Sequence, residues 1–481
     1  MARCSMSMEV GLPVDIAPGP ETGIVHLGLG AFFRGFGCVF VADAMVASRG
    51  DWGITGVSLR SPDTRDALQG QGWGYTSVTL APEGEQTRWI SILNDVLVAP
   101  EDPEAVLAAM AEPAVRIVTL TVTEKGYCYN PSTRALNTSH PDIQHDLAHD
   151  LPVSAPGFLV RALARRRAAG VAPFTVLTCD NLPENGRLVR GLVLDFAQRI
   201  DPALSDWIAT EGRFPSTMVD RITPATTEAD IARVAQLTGR ADAAPVMHEP
   251  FAQWVIEDDF VGNARPDFAA AGVEMVKDVT AHEHMKLRML NGTHSALAYT
   301  GYLAGHETIA ETVADPVFAS YVRRLWSEIM PAVHAPEGVS LTDYADALFD
   351  RYANPCIRHR TWQIAMDGSQ KLPQRILGSL AANIAAGRPS PALCLAVAAW
   401  MRYVGGVDEK GQTIDVRDPM ADHLRAVSDS ADTPKGKVAA LLRVRDVFPA
   451  DLAATLQRPV TTGATRLCED GTRAAIKKVL A

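Results

Sequence analysis

Apolar, strand-length segments alternate with helix-length segments through the first half of the chain, and this constrains the fold most. GIVHLGLG (23–30), WGITGVSLR (52–60), VRIVTLTVTE (115–124) and FTVLTCDN (174–181) read as buried strands. VFVADAMVASRG, DPEAVLAAMAEP, GFLVRALARRRAAG and GRLVRGLVLDFAQRI read as the helices between and after them. Such alternation predicts an α/β domain with a mainly parallel sheet and helical crossovers. From about residue 280 the texture changes. FASYVRRLWSEIM and DYADALFDRYA carry helical periodicity, and few strand signals remain. The expected organisation is an α/β domain over 1–280 followed by a mostly α-helical domain over 281–481.

A chain of 481 residues with 47% hydrophobic and 21% charged residues is long enough for two or three domains with a large core. Its formal charge of −11 argues against nucleic acid or an anionic membrane as a main partner. The opening MARCSMSMEVGLPVD lacks the basic and long apolar regions of a signal peptide. The apolar run PALCLAVAAWM falls short of the roughly 20 residues a membrane span needs. Seven cysteines, Cys4 among them, are scattered without a CxxC pair. They suggest neither a disulfide framework nor structural zinc, and the expected setting is a reducing cytoplasm. HEH at 282–284 and GHE at 305–307 lack metal-ligand spacing, and HExxH is absent, so no metal is expected. The expected state is a monomer or small homo-oligomer.

VHLGLGAFFRGFG places Gly28 and Gly30 at a strand-to-helix turn. Glycines there let the backbone approach a pyrophosphate, which the helix N-terminus then favours. A tight turn without a ligand gives the same pattern, but its place in the first βα unit favours a nucleotide. Arg34 either supplies charge to a phosphate or lies on the surface. After the second strand, LRSPD offers both Arg60 with Ser61, which suit the 2′-phosphate of NADP, and Asp63, which suits the ribose of NAD. Ligands of open α/β sheets bind at the carboxyl ends of strands. Those ends carry Thr123, Glu124 and Lys125 in TVTEKGYC, and Asp180 and Asn181 in TCDNLPENG. Thr and Asp are equally suited to capping the next helix.

KLRMLNGTHSALAY (286–299) sets a lysine, an asparagine and a histidine in an apolar stretch. On a regular helix, with Lys286 at zero, Glu283 falls near 60°, His294 near 80° and Asn291 near 140° at about 100° per residue. These polar groups share their sector with Leu287 and Leu290, which suits a buried wall beside a ligand better than a solvated face.

The K-x4-N-x2-H arrangement of Lys286, Asn291 and His294 resembles the signature of the polyol-specific long-chain dehydrogenases, the mannitol dehydrogenase family. GLGAFFR, TVTEKGY, CDNLPENG, TMVDRITP, EPFAQWVIEDDF and NPCIRHRTWQIAMDGSQKLPQR are similar to further family blocks, in order along nearly the whole chain. The resemblance implies a zinc-independent, NAD(P)-dependent dehydrogenase with a Rossmann-type domain and a helical substrate domain. It implies Lys286 as general acid/base, Asn181 and Asn291 as hydrogen-bond partners of the reacting oxygen, His294 as an orienting group and Glu283 as a proton relay to solvent. Gly28, Gly30, Phe32, Arg34, Arg60, Asp63, Thr123 and Glu124 are expected on the cofactor side. The family's turn commonly reads GxGxFHRAHQ; here Phe33 and Phe36 replace histidines and Gly37 replaces glutamine.

RHRTWQIAMDGSQKLPQR gathers Arg358, His359, Arg360, Lys371 and Arg375, a basic cluster suited to a carboxylated substrate. Lys125, Asp220, Arg358, His359, Arg360 and Lys371 are the expected substrate contacts. Gln363 stands where the mannitol-oxidising branch commonly has arginine, and the run is most similar to the fructuronate reductase branch. That implies interconversion of D-fructuronate and D-mannonate; a neutral polyol such as mannitol or arabinitol is the alternative. A non-catalytic nucleotide-binding regulator is a rival from another class, but such a protein has no need of Lys286 and its companions.

Overall fold

The computed structural model describes residues 20–481; Cys4 and the stretch read for a signal sequence lie outside them. The chain divides into two units between Thr280 and Ala281.

The first unit is organised by a five-stranded sheet in the order Leu93–Val98, Gly53–Ser58, Thr22–Leu27, Ile117–Leu120, Thr175–Thr178. Every neighbouring pair is parallel. The sheet therefore runs third–second–first–fourth–fifth in chain order, which is the Rossmann arrangement. Side chains alternate across the strands, and both faces are covered. Ile24, Ile54, Ile117 and Leu177 enter the core on one side. Val25, Val57, Val118 and Val176 enter the core on the other. This double burial explains why the strands read as continuous apolar runs.

The strand Leu93–Val98 and two small three-stranded sheets add to the elements read from sequence. One small sheet joins the hairpin Tyr75–Ala81 and Gly84–Ile90 to Val246–His248. The other joins Thr217–Asp220, Gln253–Glu257 and Glu274–Val276. The helical stretch Ala31–Ser48 is long and apolar enough to cross a membrane by length and composition. Here Phe33, Phe36, Phe40 and Val41 bury it in the core of the unit.

The second unit is built from helices. Pro391–Val404 lies at its centre, with nearly every side chain buried. Its N-terminus is held by the buried carboxylate of Glu328, which accepts from the backbone N–H of Ala392 at 3.1 Å and of Leu393 at 3.0 Å. An acid placed there meets the positive end of the helix dipole.

Two histidines of the first unit are held neutral. Burial lowers His26 to about 3, and burial together with the Arg221 charge lowers His248 to about 4. In the unfolded chain both take up protons near 6.5. Their contribution to stability is therefore complete above that pH and is lost as pH falls towards the folded values, at up to about 1.4 kcal/mol per pH unit for each. Thermal unfolding followed from pH 7.5 to 4.5 is expected to show a falling Tm. His26→Gln should start lower but decline less steeply; an equal decline would contradict the assignment.

Candidate active site

The glycine turn leaves the central strand where the order of the sheet reverses, between Thr22–Leu27 and Ile117–Leu120. Gly28 has φ +91°, and a Cβ there would stand 2.3 Å from the carbonyl oxygen of Thr121. No side chain fits. A Cβ on Gly30 would meet nothing closer than Gly28 O at 3.8 Å, so the second glycine faces open space. That is the arrangement a pyrophosphate needs, and the turn fits a dinucleotide.

A buried hydrogen-bond chain fixes this turn. Thr121 Oγ1 donates to Gly28 O at 2.8 Å, so it must accept from the His26 ring, whose Nε2 lies 2.9 Å away. His26 Nδ1 then accepts from Thr119 Oγ1 at 2.8 Å. The tautomer follows from this network. Phe33 stacks on His26 with ring centroids 3.4 Å apart. A Cβ on Gly37 would come within 2.2 Å of the Phe33 ring. The departures from the usual turn are thus linked: a phenylalanine at 33 requires the smallest residue at 37. Phe36 joins Phe32, Phe40 and Trp254 in an aromatic cluster.

Arg34 is turned inwards. It is buried, donates through Nη1 to Ala244 O, and lies 5.2 Å from the centre of the Tyr75 ring. The surface reading gives way to this interior placement, in which Ala244 O and the Tyr75 ring engage the guanidinium. Phe32 is half-buried at the turn; Arg60 and Asp63 are exposed beyond the second strand, where Asp63 accepts from Ser61 Oγ at 2.8 Å.

Asp180 caps a helix, but not the one that follows it. Its carboxylate accepts from Val122 N at 2.8 Å and Thr123 N at 3.1 Å, at the start of the short helix Thr123–Gly126. Tyr127 OH donates to it at 2.7 Å. This ties the fourth strand end to the fifth and holds Thr123 at φ +64°. Thr123, Glu124, Lys125 and Asn181 are exposed at these ends, while Asp220 is buried at the end of its strand. Asn185 escaped the sequence reading. Its side-chain amide donates to Asp180 O and Thr217 O, each at 3.0 Å, and accepts from Thr217 N at 2.9 Å. The loop that carries Asn181 is therefore pinned to the strand Thr217–Asp220.

In the second unit, Thr280–Met285 is α-helical, Lys286–Gly292 is a π-helix and Thr293–Leu303 is α-helical again. The regular helix expected here is corrected. With i→i+5 winding, Asn291 stands one turn above Lys286, as residue i+4 does in an α-helix, instead of about 140° round from it. The wider turn needs other donors for its carbonyls. Tyr352 OH donates to Leu290 O at 3.0 Å, and Trp326 Nε1 donates to Met289 O at 3.3 Å. A buried carbonyl left unpaired costs about 1–3 kcal/mol, so these two side chains make the π turn tolerable. A second π-helix, Pro373–Leu377, packs against the first. A Cβ on Gly292 would lie 2.6 Å from Arg375 O.

Lys286, Asn291 and His294 are all buried, and Glu283 is half-buried. Asn291 Nδ2 is enclosed without a hydrogen-bond partner. The His294 ring lies 4.6 Å from that of Tyr352 and meets His359 edge-on at 5.2 Å. Burial lowers His294 well below its ordinary value; His359, Arg351, Arg375 and Lys286 act in the same direction. Burial lowers His359 to about 4, helped by Lys371, Arg375 and Arg351. The lysine and arginine charges named here all favour the neutral form of the two rings.

The RHR run splits by alternation. His359 turns inwards, whereas Arg358 and Arg360 are exposed and share Glu307 at 3.8 and 3.6 Å. The two arginines therefore lie on the exposed side of the run, and His359 on its inner side. In the first unit, Cys128, His140 and Asp142 offer ligand atoms within 4.8 Å of one another. Burial and the carboxylates of Asp142 and Asp146 push the Cys128 thiol up to about 12, and His140 Nδ1 accepts from Asp142 N at 3.3 Å as a helix cap. These contacts describe a cap.

The sheet order, the glycine turn and the buried lysine–asparagine–histidine set define a Rossmann-type dehydrogenase. Residues 22–269 match the mannitol dehydrogenase Rossmann domain, and residues 278–467 match the mannitol dehydrogenase C-terminal domain. The chain belongs to the mannitol dehydrogenase family of oxidoreductases. The uncharacterized oxidoreductase YeiQ of Escherichia coli (strain K12) is 46% identical over 437 residues, 90% of this chain and 89% of YeiQ. D-mannonate oxidoreductase of the same organism is 43% identical over 467 residues, 95% of each chain. The structure of Pseudomonas fluorescens mannitol 2-dehydrogenase with NAD and D-mannitol superposes with a TM-score of 0.86 at 38% identity, covering 96% of this chain and 95% of that one.

Gly292→Ala should force the two π turns apart, since the Arg375 carbonyl is backbone and cannot swing away. The expected result is a loss of about 1–3 kcal/mol in stability and a fall in kcat, with cofactor affinity unchanged. Unaltered kcat and Tm would contradict the contact.

Proposed function

We propose that the protein is a zinc-independent, NAD-dependent oxidoreductase that interconverts D-fructuronate and D-mannonate. The observation carrying this reading is the set of basic side chains around the His294–His359 pair: the half-buried Arg351 and Arg375 act on both rings, the buried Lys286 on His294 and the half-buried Lys371 on His359. A concentration of positive charge on a chain of net charge −11 suits a carboxylated substrate. The relationship to a D-mannonate oxidoreductase at 43% identity supports the same reading. The cytoplasm is our proposed location, in keeping with scattered cysteines.

The cofactor, when bound, supplies or accepts the hydride, and Gly28 and Gly30 would hold its pyrophosphate. The chain's own residues handle the proton. In reduction, Lys286 donates from its ammonium to the ketone oxygen; in oxidation its amine accepts from the alcohol. Asn291 Nδ2, buried without a partner, donates to the oxygen as charge develops on it, a task that a metal would otherwise perform. His294, held neutral, offers one donor and one acceptor to substrate hydroxyls. Glu283, half-buried one turn before Lys286, passes the proton to solvent. Asn181 keeps the hydrogen-bonding role its motif implies.

A neutral polyol is the second reading, favoured by the 0.86 TM-score to a mannitol 2-dehydrogenase. The two are separated by assaying mannonate, altronate, mannitol and arabinitol with NAD and with NADP, followed by nicotinamide absorbance. The expected result is highest kcat/KM for mannonate with NAD. Preference for mannitol or arabinitol would overturn the substrate reading, and preference for NADP the cofactor reading.

A further inference from the structure

The basic residues of the run from Arg358 to Arg375 are placed differently with respect to His294 and His359. Arg358 and Arg360 are exposed and engaged with Glu307. The Lys371 ammonium donates to Met366 O at 2.6 Å and reaches Ile364 O at 3.5 Å, so it ties the turn before its own helix. That turn is fixed independently: Ser369 N and Oγ donate to Asp418 at 2.7 and 2.6 Å. Arg375 is placed differently. It sits in the π-helix Pro373–Leu377, its carbonyl oxygen packs on Gly292, and its Nη1 donates to the buried Ser295 Oγ at 3.3 Å. Ser295 adjoins His294, three residues beyond Gly292.

The backbone contact fixes Arg375 against the turn that carries Lys286 and Asn291, the Ser295 contact holds its guanidinium, and its charge acts on both His294 and His359. His359 lies across the His294 ring at 5.2 Å, with its Nδ1 enclosed and without a hydrogen-bond partner. A planar fork of N–H donors beside an unmatched ring nitrogen is suited to a carboxylate, which accepts two parallel bonds from arginine and a further one from an imidazole N–H. Arginine also holds its charge at every working pH and does not compete with Lys286 for the reacting proton.

We propose that Arg375 is the specificity-determining residue that grips the carboxylate of the substrate, with His359 Nδ1 as an auxiliary donor. The inference rests on the reading of a sugar acid as substrate, and it assigns the recognition to one side chain. Its consequence is selectivity: removing the guanidinium should weaken acids far more than neutral polyols of the same length.

The test compares Arg375→Met and Arg375→Lys with the wild type, measuring kcat/KM for mannonate and for mannitol and the calorimetric Kd of mannonate in the presence of oxidised cofactor. The expected result is a mannonate-to-mannitol ratio of kcat/KM about 100-fold lower in Arg375→Met, carried mainly by KM, with a matching rise in Kd. Arg375→Lys should fall between the two, because it keeps the charge and loses the fork. His359→Asn, which leaves Arg375 in place, should lower the ratio by a smaller factor of about 5–10 and covers the case in which Arg375→Met fails to fold. If the wild type prefers mannonate and Arg375→Met keeps the wild-type ratio, this assignment is overturned while the substrate reading stands. If the wild type neither binds nor oxidises mannonate, both fall.

Discussion

The π turn at Lys286–Gly292 is the constraint on which the candidate chemistry of the second unit depends. A regular α-helix over the same residues would carry Asn291 well round from Lys286. The wider turn stacks them and buries both, and its backbone departure is stabilised from outside by Tyr352, Trp326 and the closely packed carbonyl of Arg375. Three separate helices thus hold one wide turn whose carbonyls need partners from outside it. Tyr352 has two tasks: its hydroxyl completes the turn, and its ring lies against His294.

The first unit solves a comparable problem with polar groups. Gly28 must adopt a left-handed conformation at the point where the sheet order reverses, and a chain from Thr119 through His26 and Thr121 reaches its carbonyl oxygen. Each member of that chain is satisfied, and burial keeps the imidazole neutral, so the network fixes the turn without placing a charge beside it. The stacking of Phe33 on His26 continues the same device, and it explains why glycine stands at 37.

Much of the fold was legible because its physical signals were local. The central strands are buried on both faces, so GIVHLGLG, VRIVTLTVTE and FTVLTCDN stood out as apolar runs, and the glycine turn followed from its position. The small sheets were not legible: Ser77 pairs with Val246, and the strands Val246–His248 and Glu274–Val276 are three residues long. The lysine–asparagine–histidine set was visible, but its winding was not, since the donors that stabilise a π turn lie 37 and 62 residues further on. Arg34, Arg358 and Arg360 illustrate the limit for charged residues. Their type advertises anion binding, while their actual partners, Ala244 O and Glu307, are distant in sequence. Asn185 carried no local signal, because the strand its amide serves begins at Thr217, 32 residues further on.

The central claim is that the side-chain amine of Lys286 moves the proton. The most direct measurement is turnover by Lys286→Ala with and without added methylamine, alongside cofactor binding followed by fluorescence. The account predicts a fall in kcat of about 10²–10⁴-fold, the usual range for a general acid/base, cofactor affinity close to wild type, and recovery that rises with amine concentration. Full turnover by Lys286→Ala without amine would contradict it.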